Sequence, residues 1–195
     1  FSEGGILSLI DNIVDFNILK TYTKHIALKD FEREIIYSLK KSSISDISNL
    51  PEVSEGLEYK IKKAASMSHT LEDLIDNVKS KRYTLPRIQR ILVYSLLGIT
   101  KKDMEFSKNI IPYVRVLGFN ENGKKILSKI KRENKDLNII TSLKKLEDDC
   151  TNSSLLRLLE IDKLATDVFN IEYLKSKKSI EEKIPNDYNQ KIITI

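Results

Sequence analysis

The sequence predicts a mainly α-helical fold, a helical bundle followed after residue 112 by a small strand–helix–strand (α/β) unit. Three observations lead there. Apolar residues recur at three- and four-residue spacing through the first hundred positions, and capping residues stand just ahead of those runs. After Pro112 the pattern changes to alternation. The division that follows is a helical domain over 1–110 and, over 111–195, a small α/β unit with C-terminal helices and a terminal strand, the two packed as one domain or standing apart.

Residues 5–13 and 16–24 read as short helices. A firmer helix covers 30–41, with Asp30 as N-cap and Phe31, Ile35, Ile36 and Leu39 on one face. A loop to Pro51 holds one turn around Ile44 and Ile47. The stretch 53–66 reads as a helix with Leu57, Ile61, Ala64 and Ala65 inward, and Gly56 inside it costs about 1 kcal/mol unless a neighbouring backbone comes close. Thr70-Leu71-Glu72-Asp73 resembles a capping box and opens a helix to about Lys79. Thr84 caps the next helix, 85–97, with Pro86 tolerated in its first turn and Gly98 ending it. Thr100 caps a short helix over 101–106. Tyr113-Val114-Arg115-Val116-Leu117 is β-branched and alternating, so it reads as a strand, and Asn120 caps a helix to about Glu133. Leu137-Asn138-Ile139-Ile140-Thr141 reads as the second strand of a crossover unit, with the terminal Ile192-Ile193-Thr194-Ile195 as a possible third strand. Helices over 142–148 and 153–175 fill the interval.

With 195 residues, 41% of them hydrophobic and 31% charged, the chain has a globular balance and needs no staples. Cys150 is the sole cysteine, so no internal disulfide forms, and a zinc site has no ligand set, because His25 and His69 lie far apart. The longest nearly apolar run, 91–99, is far short of the roughly 20 residues a bilayer span needs. No basic-then-apolar leader opens the chain, so a cytoplasmic location is expected. An opening on Phe1 rather than Met reads as the downstream piece of a longer protein.

The formal net charge is +5, and its distribution says more than its size. From 77 to 102 the chain carries Lys79, Lys81, Arg82, Arg87, Arg90, Lys101 and Lys102 with no acidic residue. Such a stripe suits a polyanion. At about 100° per residue, Arg87 and Tyr94 lie about 20° apart on the 85–97 helix and Arg90 about 60° away. Ile88, Ile91, Leu92, Ser95 and Leu96 take the other side. Lys81, Arg82 and Tyr83 stand at the helix N-terminus, where free N–H groups and the dipole also favour an anion. Guanidinium forks, ammonium groups and an aromatic face fit phosphate and base contact, so Lys81, Arg82, Tyr83, Arg87 and Arg90 are the RNA-binding candidates, with Lys79, Lys101 and Lys102 as secondary basic residues. The competing reading is a solvated basic face with Tyr83 and Tyr94 packed into the core. Unmatched charge favours the first, since structural charge faces interleave signs.

Other groups carry less. Glu55 and Glu58 at i, i+3 read as surface acids, Ser54 as a helix cap and His69 as a loop residue. Cys150 follows Asp148 and Asp149, an acidic setting that does not read as that of a reactive cysteine. No GxxxxGK[ST] or GxGxxG occurs, and no nucleophile–base set can be assembled, so catalytic and metal-ligating residues are expected to be absent and the piece alone inactive.

The runs Val53-Ser54-Glu55-Gly56-Leu57-Glu58, Ile61-Lys62-Lys63-Ala64-Ala65, Lys81-Arg82-Tyr83-Thr84 with Arg87-Ile88-Gln89-Arg90, and Tyr113-Val114-Arg115-Val116-Leu117-Gly118-Phe119-Asn120 resemble, in that order, the bacterial tRNA(Met) cytidine acetate ligase family, a nucleotidyltransferase-like group. The resemblance spans about 30–141 and touches only the family's helical C-terminal region. Tyr59 and Leu85-Pro86 depart from the family pattern. The resemblance implies an N-terminal HUP-type domain that binds ATP through a HIGH-like motif and activates acetate as acetyl-adenylate. The acetyl group then passes to the N4 amine of the wobble cytidine of elongator tRNA(Met). No cofactor is expected in this fragment, ATP is expected for the full-length enzyme, and the implied partners are tRNA and the N-terminal nucleotide-binding domain of the same protein. The basic motif would then hold tRNA, complete the ATP site, or belong to a non-catalytic scaffold or dimerisation domain.

Overall fold

The computed structural model describes residues 26–109, 113–134, 137–175, 188 and 192–194. The helices expected over 5–13 and 16–24 lie outside these. A 3-10 turn, Leu28–Phe31, leads into α1 (Glu32–Lys41), followed by α2 (Ile44–Ser48), α3 (Leu57–Met67), α4 (Leu71–Val78), α5 (Leu85–Leu97) and α6 (Lys101–Asn109). Beyond these come β1 (Val114–Arg115), β2 (Gly118–Phe119), α7 (Glu121–Glu133), β3 (Ile139–Ile140), α8 (Leu143–Asp149), α9 (Ser153–Lys175) and β4 (Ile193–Thr194). The fold is mostly helical with small parallel two-stranded sheets, as the periodicity predicts.

The core lies where the apolar faces of α1, α3, α4 and α5 meet. Ile35, Leu39, Ile47, Leu57, Leu74 and Ile91 are fully enclosed, and Phe31, Ile36, Ile61, Ala64, Ala65, Ile88 and Leu92 are among the other members of the cluster. Burying such side chains supplies roughly 1.5–3 kcal/mol each. α1 and α5 approach closely because small residues face each other: the Ser38 hydroxyl donates to the Ser95 carbonyl at 2.8 Å. α9 lies against α5 and α6, and Arg157 secures it by donating to the buried Asp103 carboxylate at 3.1 Å and to the Gly98 carbonyl at 2.9 Å.

Lysines close three helix C-termini, where free carbonyls and the negative dipole end await a cation. Lys62 Nζ donates to the carbonyls of Leu39, Lys40 and Ser42 at 3.2, 2.8 and 2.5 Å, ending α1. Lys60 Nζ does the same at Val78 (2.8 Å), ending α4, and Lys101 Nζ at Ser48 (2.6 Å), ending α2.

Local signals account for several helix ends. Gly98 ends α5 with φ 62°, Asn120 caps α7 by accepting from the Gly123 N–H at 2.8 Å, and Thr100 forms a reciprocal capping box with Asp103. Other ends need correction. Asp30 does not cap α1: its carboxylate accepts from the Ala27 N–H at 2.7 Å and starts the 3-10 turn instead. α3 begins at Leu57, so Gly56 precedes the helix rather than interrupting it. Its φ of 84° explains the glycine, and open space surrounds the position where a Cβ would stand. Thr70 accepts from Asp73, while a second acceptor at this helix start comes from α1, where Glu32 takes the Leu71 N–H at 2.7 Å. Thr84 occupies the N-cap of α5 without a side-chain cap bond.

After residue 112 the expected strand–helix–strand unit forms: β1 and β3 pair in parallel, Val114 with Ile139 and Arg115 with Ile140, around α7. The strands are shorter than alternation suggested. The terminal strand does not extend this sheet; β4 pairs with β2 in a second one, Gly118 with Ile193. Gly118 permits this approach, because a Cβ there would stand 2.8 Å from the Ile193 carbonyl oxygen.

A candidate nucleic-acid interface

The basic stripe divides into tethered groups, the arginines and Lys101, and lysines that make no side-chain hydrogen bond or ion pair among the described residues. The turn before α5 closes on itself, with Ser80 and Tyr83 exchanging backbone hydrogen bonds at 3.1 Å. That turn carries the Tyr83 ring inward, leaving the residue 9% exposed. Lys60, Arg82 and Arg87 ring it, their cationic centres 5.7, 5.8 and 5.3 Å from its centroid. Cations near an aromatic ring are stabilised by its quadrupole. Tyr83 is thus a buried packing residue in this structure, as the competing sequence reading had it, rather than an open platform for a base.

The sequence argument that the stripe lacks acidic partners is overturned. Those partners come from the loop between α2 and α3, more than 25 residues earlier. Arg90 makes a bidentate pair with the Glu52 carboxylate, Nε at 2.6 Å and Nη2 at 2.7 Å. Arg87 donates twice to the Glu52 carbonyl, at 3.1 and 2.6 Å, and once to the Ser54 hydroxyl at 3.2 Å. The Tyr94 hydroxyl donates to the same carboxylate at 3.4 Å. Arg82 pairs with Glu55. Arg87, Arg90 and Tyr94 do share one face of α5, but that face is partly covered by this loop.

Glu52 is therefore the residue around which the arginines are organised. The Arg90 guanidinium holds its carboxyl below the usual carboxylate range against the opposing effect of partial burial, and Tyr94 and Arg87 add to the effect. Burial, then the Glu52 charge, push the Tyr94 hydroxyl up. Both acids adopt left-handed backbone conformations, φ 62° at Glu52 and 58° at Glu55, unusual for residues with a Cβ. Nothing local in the sequence announces these contacts, because they join distant positions and depend on how α3 and α5 each pack against α1.

Lys79 and Lys81 are exposed and make no side-chain hydrogen bond or ion pair among the described residues. Lys102 is exposed over the Phe106 ring at 5.4 Å, whereas Lys101 is committed to α2. A groove of about 630 Å³ beside Lys79 and Gln89 is lined by Leu28, Leu71 and Ile75 but also by Glu32, Glu72 and Asp76, so its walls do not suit a phosphate. Among the described residues no group of three His, Cys, Asp or Glu could hold a metal ion, and no helix is long and apolar enough to cross a membrane.

Comparison with known proteins adds the family. The chain is 40% identical over 178 residues to a tRNA(Met) cytidine acetate ligase from Caldanaerobacter subterraneus subsp. tengcongensis, covering 88% of this chain and 42% of that protein. It is 36% identical over 167 residues to the one from Acetivibrio thermocellus, covering 85% and 39%. The chain thus spans about two-fifths of the length of these curated relatives. Its fold matches crystal structures of Thermotoga maritima TmcAL at 24% identity, apo (TM-score 0.78) and bound with alpha-thio ATP (TM-score 0.79), each covering 92% of this chain and 44% or 45% of the other. A model of the HIGH Nucleotidyl Transferase family matches residues 8–183, nearly the whole chain, and the chain belongs to that family.

Proposed function

We propose that this chain is the tRNA-contacting and domain-packing region of an ATP-dependent ligase that acetylates the wobble cytidine of tRNA(Met) in the cytoplasm. The similarity to tRNA(Met) cytidine acetate ligases supports the reaction and the tRNA partner. The observation that carries the role of this region is the basic surface over 79–90, where Lys79 and Lys81, exposed and unpaired among the described residues, stand just ahead of arginines already held in place. A preorganised cation loses less freedom on meeting a phosphate than a mobile one. In this reading Lys79, Lys81, Arg82, Arg87 and Arg90 position the anticodon arm, Lys102 extends the surface, and acetyl activation belongs to the part of the relatives' length that this chain does not span. Tyr83 supports the arginines from below.

The test is the affinity of the full-length protein for a tRNA(Met) transcript at several salt concentrations. Lys79→Ala with Lys81→Ala should flatten the slope of log affinity against log salt by roughly 0.7 to 0.9 per lost contact. Unchanged affinity and slope would remove the RNA role. A second reading draws on the alpha-thio ATP complex of the Thermotoga protein: the arginines face nucleotide phosphates instead. ATP affinity lost in Arg90→Ala with tRNA affinity kept would select it.

A further inference from the structure

We infer that Glu52 is an internal competitor for RNA phosphate, a residue that sets how strongly the arginine face of α5 takes an anionic ligand. This rests on the RNA reading above and adds to it a residue that neither the basic motif nor the composition pointed to.

A bidentate guanidinium–carboxylate pair has the same planar, two-bond geometry that a guanidinium makes with phosphate. In this structure Glu52 fills that position on Arg90, so the fork is occupied before any ligand arrives. The pair is open to water, with side-chain exposures of 52% for Arg90 and 32% for Glu52, so a phosphate can approach it. Arg82 and Glu55 form a second ion pair on the same surface, each 60% exposed.

Exchange needs no unfolding. The loop backbone is anchored by Val53, which is 1% exposed, and by Arg87, which holds the Glu52 carbonyl rather than its carboxylate. The carboxylate can swing away while Arg87 keeps the loop in place. The backbone itself does not call for an acid at this point. A left-handed φ is adopted most cheaply by glycine or asparagine, so glutamate there carries a conformational cost and its charge is what distinguishes it. A polyanion that delivers several phosphates outcompetes two tethered carboxylates, and a single small anion does so poorly.

The experiment uses the full-length protein and a tRNA(Met) transcript, with affinity read across a salt series and thermal melts on the same samples. Glu52→Gln removes the charge and keeps one acceptor for Arg90. Glu52→Asn removes the charge with a residue suited to the left-handed backbone, which guards against a folding artefact. Both should bind tRNA more tightly at low salt by about fivefold, the scale of one contact-distance charge pair in water. The salt slope should stay near the wild-type value, because the fork reaches a phosphate in both proteins and the variants are spared only the displacement of Glu52. Equal or weaker binding in both variants, with melting unchanged, overturns the competition. If Lys79→Ala with Lys81→Ala weakens binding while the Glu52 variants match wild type, the RNA surface stands and the competitor falls; if neither pair has an effect, both readings fall.

Discussion

Replacing Arg87 with alanine removes a three-bond clasp between α5 and the loop ahead of α3. Sequence periodicity places Arg87 on an outward face, from which a loss of less than about 0.5 kcal/mol follows. The geometry raises that figure. Arg87 is half-buried, donates twice to the Glu52 carbonyl and once to Ser54, and covers the Tyr83 ring at 5.3 Å. Hydrogen bonds from a charged donor contribute about 1.5–3 kcal/mol, and the carbonyl left behind regains water only in part. Discounting for partial exposure gives about 2 kcal/mol, which in a chain of this size lowers the melting temperature by about 4–8 °C. Arg87→Lys should recover less than half, since one ammonium cannot replace the fork. Lys81→Ala, free of partners among the described residues, should stay within about 0.5 kcal/mol of wild type. Urea and thermal melts of the three variants decide the matter. An Arg87→Ala protein as stable as Lys81→Ala would refute the clasp and return Arg87 to the solvated face.

Two further substitutions probe the frame. Burial pushes the Asp103 carboxyl up, but Arg157 and Thr100 outweigh it and hold it below its ordinary value. Its stabilisation is complete above the unfolded value of about 3.9 and is lost as pH falls through the lower folded value. Asp103→Asn should therefore cost about 1–2 kcal/mol at neutral pH and flatten the acid limb of a urea-midpoint profile, and an unaltered limb would count against the Arg157 tether. Lys62→Met keeps the aliphatic stem but frees three carbonyls at the end of α1; a loss of about 1–2 kcal/mol in urea melts is expected, and no loss would mean that water replaces the ammonium fully.

The sequence by itself determined the elements whose cause is local. Helix faces such as Ile35–Ile36–Leu39 and Ile88–Ile91–Leu92 follow from 3.6-residue periodicity, the end of α5 from the conformational freedom of Gly98, and the crossover of β1 and β3 from alternation around an Asn120 cap. It also located the basic motif, since charge along the chain is visible without coordinates. Tertiary structure alone decided what that motif touches. Glu52 and Glu55 reach the arginines from the loop ahead of α3 because the core sets two distant segments side by side, and their left-handed backbone leaves no composition signal. The same packing turned Tyr83 inward, committed Lys60, Lys62 and Lys101 to helix ends, and left Lys79 and Lys81 exposed and without a side-chain partner among the described residues. Charge is a property of residues in order, whereas pairing is a property of residues in space, so only the fold could separate cations that hold the protein together from those open to a ligand.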